Sequence, residues 1–183
     1  MRAVAALVLL SAAALLPVVP ARAQGGDLAG WDKARWGMTM DELAAAFGSR
    51  LKKLPAPIYY RDSFVMQVVD DVILGGVRFI ALFQMDPGVG RLVQVLLRAK
   101  GATPTHTSYV AALKALEATL GPPAKSERAT DYAGDIPWFR VVDRWTFPAT
   151  SVVLSYYNPD FAATRDKSLT VRYFPTHSKA PGS

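Results

Sequence analysis

The chain has 183 residues, with 21 Lys and Arg against 15 Asp and Glu, two His and no Cys. The missing Cys excludes a disulfide framework, a cysteine-held metal or iron–sulfur site, a thiol nucleophile and a lipid-modified cysteine. Two His leave little room for a histidine metal site or a Ser-His-Asp triad, and the formal net charge of +6 falls to +4 once Arg2 and Arg22 of the export-signal segment are removed, too small and scattered to argue for nucleic acid.

Residues 1–23 read as an export signal. Arg2 gives a short positive start, and Ala3 to Leu16 is apolar apart from Ser11. Pro17 and Pro20 end the run, and Ala21-Arg22-Ala23 is a small-x-small cleavage pattern. The run is shorter than the roughly 20 apolar residues a spanning helix needs. Cleavage removes Arg2 and Arg22, so the net charge drops by two, and the apolar fraction falls to about 47 %, ordinary for a globular domain. The expectation is one domain over 24–174, periplasmic or secreted, with no membrane anchor after cleavage and a disordered tail at 175–183.

The first helix is expected at about 39–48. Thr39 and Glu42 have the spacing of a capping box, Met40, Leu43 and Phe47 form one apolar stripe, and Gly48 suits the C-terminal cap. Pro55 and Pro57 make 51–60 an extended loop or edge segment. Three strands follow, at Val68–Leu74, Val77–Met85 and Leu92–Ala99, separated by turns at Gly75-Gly76 and Asp86-Pro87-Gly88. A second helix is expected at about 105–120, where Tyr109, Leu113, Leu116 and Leu120 share a face and Gly121-Pro122-Pro123 stops the helix.

Residues 124–137 read as a loop. Three more strands are expected at Trp138–Phe147, Ser151–Tyr157 and Ser168–Phe174. In the last, Leu169, Val171 and Tyr173 alternate with Thr170 and Arg172, so one face of the sheet meets water. The predicted class is α+β: two short helices on an antiparallel sheet of about six strands, arranged either as two helix-then-three-strand units or as a single sheet.

The chain carries no recognisable catalytic set. His106 and His177 have no partner at metal-ligand spacing. Gly88-Val89-Gly90-Arg91 lacks the later Gly-Lys-Ser/Thr of a phosphate loop, and no G-x-S-x-G elbow occurs. No cofactor or metal is therefore expected. Asp70-Asp71 reads as a strand end or bulge, because neighbours on a strand point to opposite faces.

The binding candidates are Trp138, Arg140 and Arg144, which share one face of a predicted strand, together with Tyr59 and Tyr60. Exposed aromatics beside arginine suit partner recognition. The plainer alternative has Trp138 covering the core edge and the arginines solvated. The leading expectation is a non-enzymatic module that binds a protein or an envelope component. The alternatives are a hydrolase acting on envelope material through Asp70, Glu127 and Asp143, and a carrier of small apolar ligands.

The segment Trp31-Asp32-Lys33-Ala34-Arg35-Trp36-Gly37-Met38-Thr39-Met40-Asp41-Glu42-Leu43 resembles the opening of many small exported bacterial proteins. They carry a Trp-Gly-Met-Thr/Ser box, a short helix ending in Gly, strands, and a second helix ending in Gly-x-Pro, here Gly121-Pro122-Pro123. The layout is similar to the β-lactamase inhibitor protein-like class and to the SmpA/OmlA assembly lipoproteins. The chain lacks the lipidated Cys of the lipoproteins. The resemblance implies a non-enzymatic periplasmic α+β domain.

Overall fold

The structure is a computed structural model that describes residues 28–133, 136–159 and 167–178, without the side chains of 131–133 and 136–138. The predicted signal at 1–23 and the final residues of the predicted tail lie outside the described residues. Among the described residues no helix is long and apolar enough to cross a membrane.

The chain opens on a two-strand hairpin, β1 (Gly30–Trp31) with β2 (Ala34–Arg35), followed by α1 (Met40–Phe47). The helix starts where its first-turn donors find acceptors. Thr39 Oγ1 accepts from the Glu42 N–H at 3.2 Å, and the Glu42 carboxylate accepts from the Thr39 N–H at 2.7 Å. Leu43 and Phe47 are buried, and each such side chain contributes about 1.5–3 kcal/mol on leaving water.

Four strands come next: β3 (Leu51–Tyr59), β4 (Phe64–Leu74), β5 (Val77–Met85) and β6 (Leu92–Ala99). Helix α2 (His106–Leu120) then leads into β7 (Lys125–Ala133), β8 (Ile136–Thr146), β9 (Thr150–Pro159) and β10 (Ser168–Pro175). All eight join one antiparallel sheet in the order β3-β4-β5-β6-β10-β9-β8-β7. Each helix thus precedes a four-strand meander, and the last strands of the two meanders pair in the middle, with Val171 opposite Leu97.

The expected α+β sheet of six strands is corrected. The sheet has eight strands and dominates the molecule, and the units are helix-then-four-strand. The two extra strands are both edges. In β3 the pairing with β4 breaks between Lys53 and Ile58, the stretch that holds Pro55 and Pro57, so residues without an N–H donor sit where no ladder needs one. In β7 every residue from Lys125 to Thr130 is exposed, so it has no buried face to print an apolar period. At the far end Pro175 still pairs with Thr150, and the Thr176 hydroxyl donates to the Phe147 carbonyl at 2.7 Å.

One face of the sheet carries the helices. Leu43 and Phe47 of α1 and Tyr109, Ala112 and Leu116 of α2 share a core with Phe79, Phe83, Val95, Val141, Trp145, Val152, Leu154 and Val171. Side-chain hydrogen bonds fasten the layers. Trp145 Nε1 donates to the Gly121 carbonyl at 2.8 Å, tying β8 to the end of α2, and Trp36 Nε1 donates to Thr150 Oγ1 at 2.9 Å. The β4–β5 hairpin abuts α2 so closely that a Cβ on Gly75 (φ +59°) would lie 2.1 Å from the Ala111 carbonyl oxygen.

The opposite face has no helix residue in its clusters. Val65, Val68 and Leu82 form one, and Val142, Val153 and Phe174 form another. Register shifts interrupt the β3–β4, β4–β5 and β5–β6 pairings, and such bulges bend strands.

Candidate functional site

Strand alternation decides which side chains reach the open face. Phe139, Val141 and Trp145 of β8 enter the helix-side core, so Arg140, Val142 and Arg144 point the other way. Leu169, Val171 and Tyr173 of β10 likewise leave Thr170 and Arg172 on the open face. Leu97 and Ala99 of β6 do the same for Arg98.

The register brings these residues together. Ser155 of β9 stands opposite Thr170 on one side and Val142 on the other. Val153, the next residue on that face, stands opposite Arg172 and Arg144, and Tyr157 stands opposite Arg140. Arg98 lies beyond Thr170. Diagonal neighbours on one face are about 7–8 Å apart at Cα, within reach of long side chains. Ser155 is therefore ringed by Arg140, Arg144 and Arg172.

Among the described residues Arg98, Arg140, Arg144 and Arg172 have no ion-pair partner. Glu127 of β7 is the nearby carboxylate, and it is tied to Lys125, whose hydrogen bond holds it below the usual carboxylate range, with the charges of Arg144 and Arg140 adding to the effect. Arg172 is half-buried. Its loss of water, and then the charges of Arg140 and Arg144, push its guanidinium below the ordinary value. The Ser155 Oγ is buried with no hydrogen-bond partner.

The structure divides the predicted binding residues. Arg140 and Arg144 share the open face as expected. The Trp138 backbone pairs opposite Pro159, but its side chain lies outside the described residues. Tyr59 is 75 % exposed and lines a groove of about 350 Å³ with Met40, Pro57, Phe64, Met66 and Pro87. Tyr60 packs against the Val65–Leu82 cluster. Strands β3 and β8 are six places apart in the sheet, roughly 29 Å at the usual strand spacing, so Tyr59 and Arg140 cannot hold one small ligand. Sequence reading missed Arg98 and Arg172. The alternation of β10 already placed Arg172 on the wet face; what was missing was the strand order that sets it beside Arg144.

The three carboxylates proposed for hydrolysis do not converge. Asp143 is fully buried on the helix side, where it accepts from the Tyr109 hydroxyl and the Ser126 hydroxyl, each at 2.6 Å. Glu127 is on the other face, because it pairs opposite Val142. Asp70 lies in the other meander, bound by Lys100 and 3.5 Å from Lys52. The Lys100 hydrogen bond holds the Asp70 carboxyl below its usual range. Asp71, in the register break of β4, has φ +55° and lies 3.2 Å from Lys100, so the Asp70-Asp71 pair sits at a bulge.

A cleft of about 550 Å³ opens on the helix side between Trp31, Asp32, Arg50, Asp71, Ile73 and Leu120. Its rim holds the Arg50–Asp32 ion pair at 3.0 Å. Among the described residues no group of three or more His, Asp or Glu is placed to hold a metal ion. No family model matches the chain, and no curated protein or solved structure matches it.

Proposed function

We propose that this chain is a non-enzymatic binding module of the cell envelope that docks a partner on the open face of its sheet. The single observation that carries the reading is the arginine ring around Ser155, a set of cations brought together by strand register, with no ion-pair partner among the described residues and with Glu127, already tied to Lys125, as the nearby counter-charge. A fold seldom gathers like charges over a partly apolar floor unless something else covers them, because the repulsion and the lost hydration both cost stability. The separation of Asp70, Glu127 and Asp143 supports binding over carboxylate-based hydrolysis, which needs two such groups about one bond. The signal-like residues 1–23 support an exported location.

A photo-crosslinking amino acid at Thr170 on the open face, compared with one at Thr119 on α2, tests the reading in envelope extract. A discrete adduct is expected from Thr170, competed away by excess unlabelled protein, with none from Thr119. Equal labelling from both positions, or no competed adduct from Thr170, overturns it.

A further inference from the structure

We infer that the open face recognises an acidic segment of a partner protein, whose carboxylates seat among Arg140, Arg144 and Arg172 with the Ser155 hydroxyl donating beside them. The inference rests on the open-face reading above and adds the chemical class of the ligand.

The residues at the site fit a carboxylate. A guanidinium offers a planar pair of N–H donors that matches two carboxylate oxygens. Three such groups surround a buried hydroxyl that has a proton to give and no acceptor. The nearby Glu127 is bonded to Lys125 and acts on Arg144 and Arg140 only through space, with no ion pair to either, which leaves their N–H donors open to a ligand carboxylate. The floor argues for a protein over a sugar or lipid headgroup. Val142, Val153 and Phe174 are buried beneath and beside the arginines, and Leu96 is half-buried opposite Arg172. An apolar floor with arginine anchors and lysine only at the rim, here Lys125, is the composition of protein–protein interface cores. A free phosphate or a sulfated sugar would use the charges and leave that floor uncovered.

The charge cluster also sets an unusual expectation for stability. A half-buried cation facing two others is a burden to the free fold. Replacing Arg172 by the apolar, unbranched Met therefore removes repulsion and keeps much of the packing. If Arg172 serves the architecture of β10, the same change lowers stability.

The test uses the full purified chain and a fluorescent ten-residue oligoglutamate peptide, read by anisotropy at low salt. Binding is expected, with at least a tenfold loss in R172Q and in R144Q, and less than a twofold change in K53Q at the other end of the sheet. Oligoglutamine should not bind. R172M should lose the peptide while its Tm rises by about 2–4 °C. Equal affinity in R172Q, R144Q and the parent protein overturns the inference, as does a fall in Tm for R172M. Tighter binding of a sulfated oligosaccharide or of anionic phospholipid vesicles than of the peptide also overturns it. R144Q keeps the test valid if R172Q fails to fold. If the Thr170 crosslink forms but the peptide does not bind, the acidic ligand class is lost and the open-face reading stands.

Discussion

Asp143 and Tyr109 form a buried acceptor and donor that hold the helix layer to the sheet. Tyr109 on α2 hydrogen-bonds Asp143 on β8 and stacks on Tyr156 of β9, with ring centres 5.8 Å apart. Y109F keeps the ring and removes the donor, leaving Asp143 with Ser126 alone. Hydrogen bonds to charged groups contribute about 1.5–3 kcal/mol, so chemical denaturation of Y109F should show a loss in that range. Burial also raises the proton affinity of Tyr109, Tyr156 and Tyr173, with the Asp143 hydrogen bond adding to the effect at Tyr109. A raised folded value means that stability is intact below about pH 10, where an unfolded tyrosine ionises, and is lost as pH climbs towards the folded value. Tyrosinate absorbance should therefore include a late phase that coincides with loss of the circular dichroism signal. An absorbance that rises fully before any structural change would contradict this. None of it was legible from spacing, because Tyr109 read only as part of an apolar stripe and Asp143 read as a catalytic candidate. A carboxylate at an inward strand position becomes structural once a hydroxyl from another layer reaches it, and that meeting depends on tertiary contact.

At the scale of elements, legibility followed burial. Helix α1 lies at 40–47, where Thr39, Glu42 and the Leu43–Phe47 stripe placed it, and α2 begins beside Thr105, whose cap involves Ser108. The central strands β5, β6, β9 and β10 are near their expected bounds, because a buried strand prints apolar residues along the chain. The edges printed nothing of the kind. β7 is polar on both faces, and β3 contains two prolines; both traits keep an edge from pairing with another chain, and both look like loop in a sequence. The Gly75-Gly76 turn was legible as a turn, but not as a contact point. G75A should destabilise the protein by more than about 1 kcal/mol, because the new methyl meets the Ala111 carbonyl and the φ of +59° disfavours a side chain. G76A, where a Cβ meets nothing within 4 Å, is the matched control for the turn's backbone alone. A Tm loss for G75A no larger than that for G76A would show that hairpin and helix do not bear on each other.

At the scale of the molecule, the arginine ring belongs to no local segment. Arg140 and Arg144 form a pair on one strand in the sequence, and β10, two places away in the sheet, adds Arg172 to them. Repulsion of Arg172 by Arg140 and Arg144 predicts a particular response to salt. Raising the ionic strength shortens the screening length from about 10 Å at 0.1 M to about 3 Å at 1 M. With chloride as the counter-ion, the Tm of the parent protein should rise over that range, and the rise should be smaller in R172M. Identical salt curves would mean that the ring carries no strain. The β6–β10 pairing has a further consequence for how the chain acquires its structure. β6 ends at Ala99 and its central partner begins at Ser168, so the middle of the sheet closes across more than a third of the chain. Each meander can zip locally, but their union must wait for the last strand to be made, and such distant closure slows folding. Until then β6 is a bare edge, and a newly made chain carries at its centre the unpaired backbone that the finished molecule confines to its proline-bearing and charged rims.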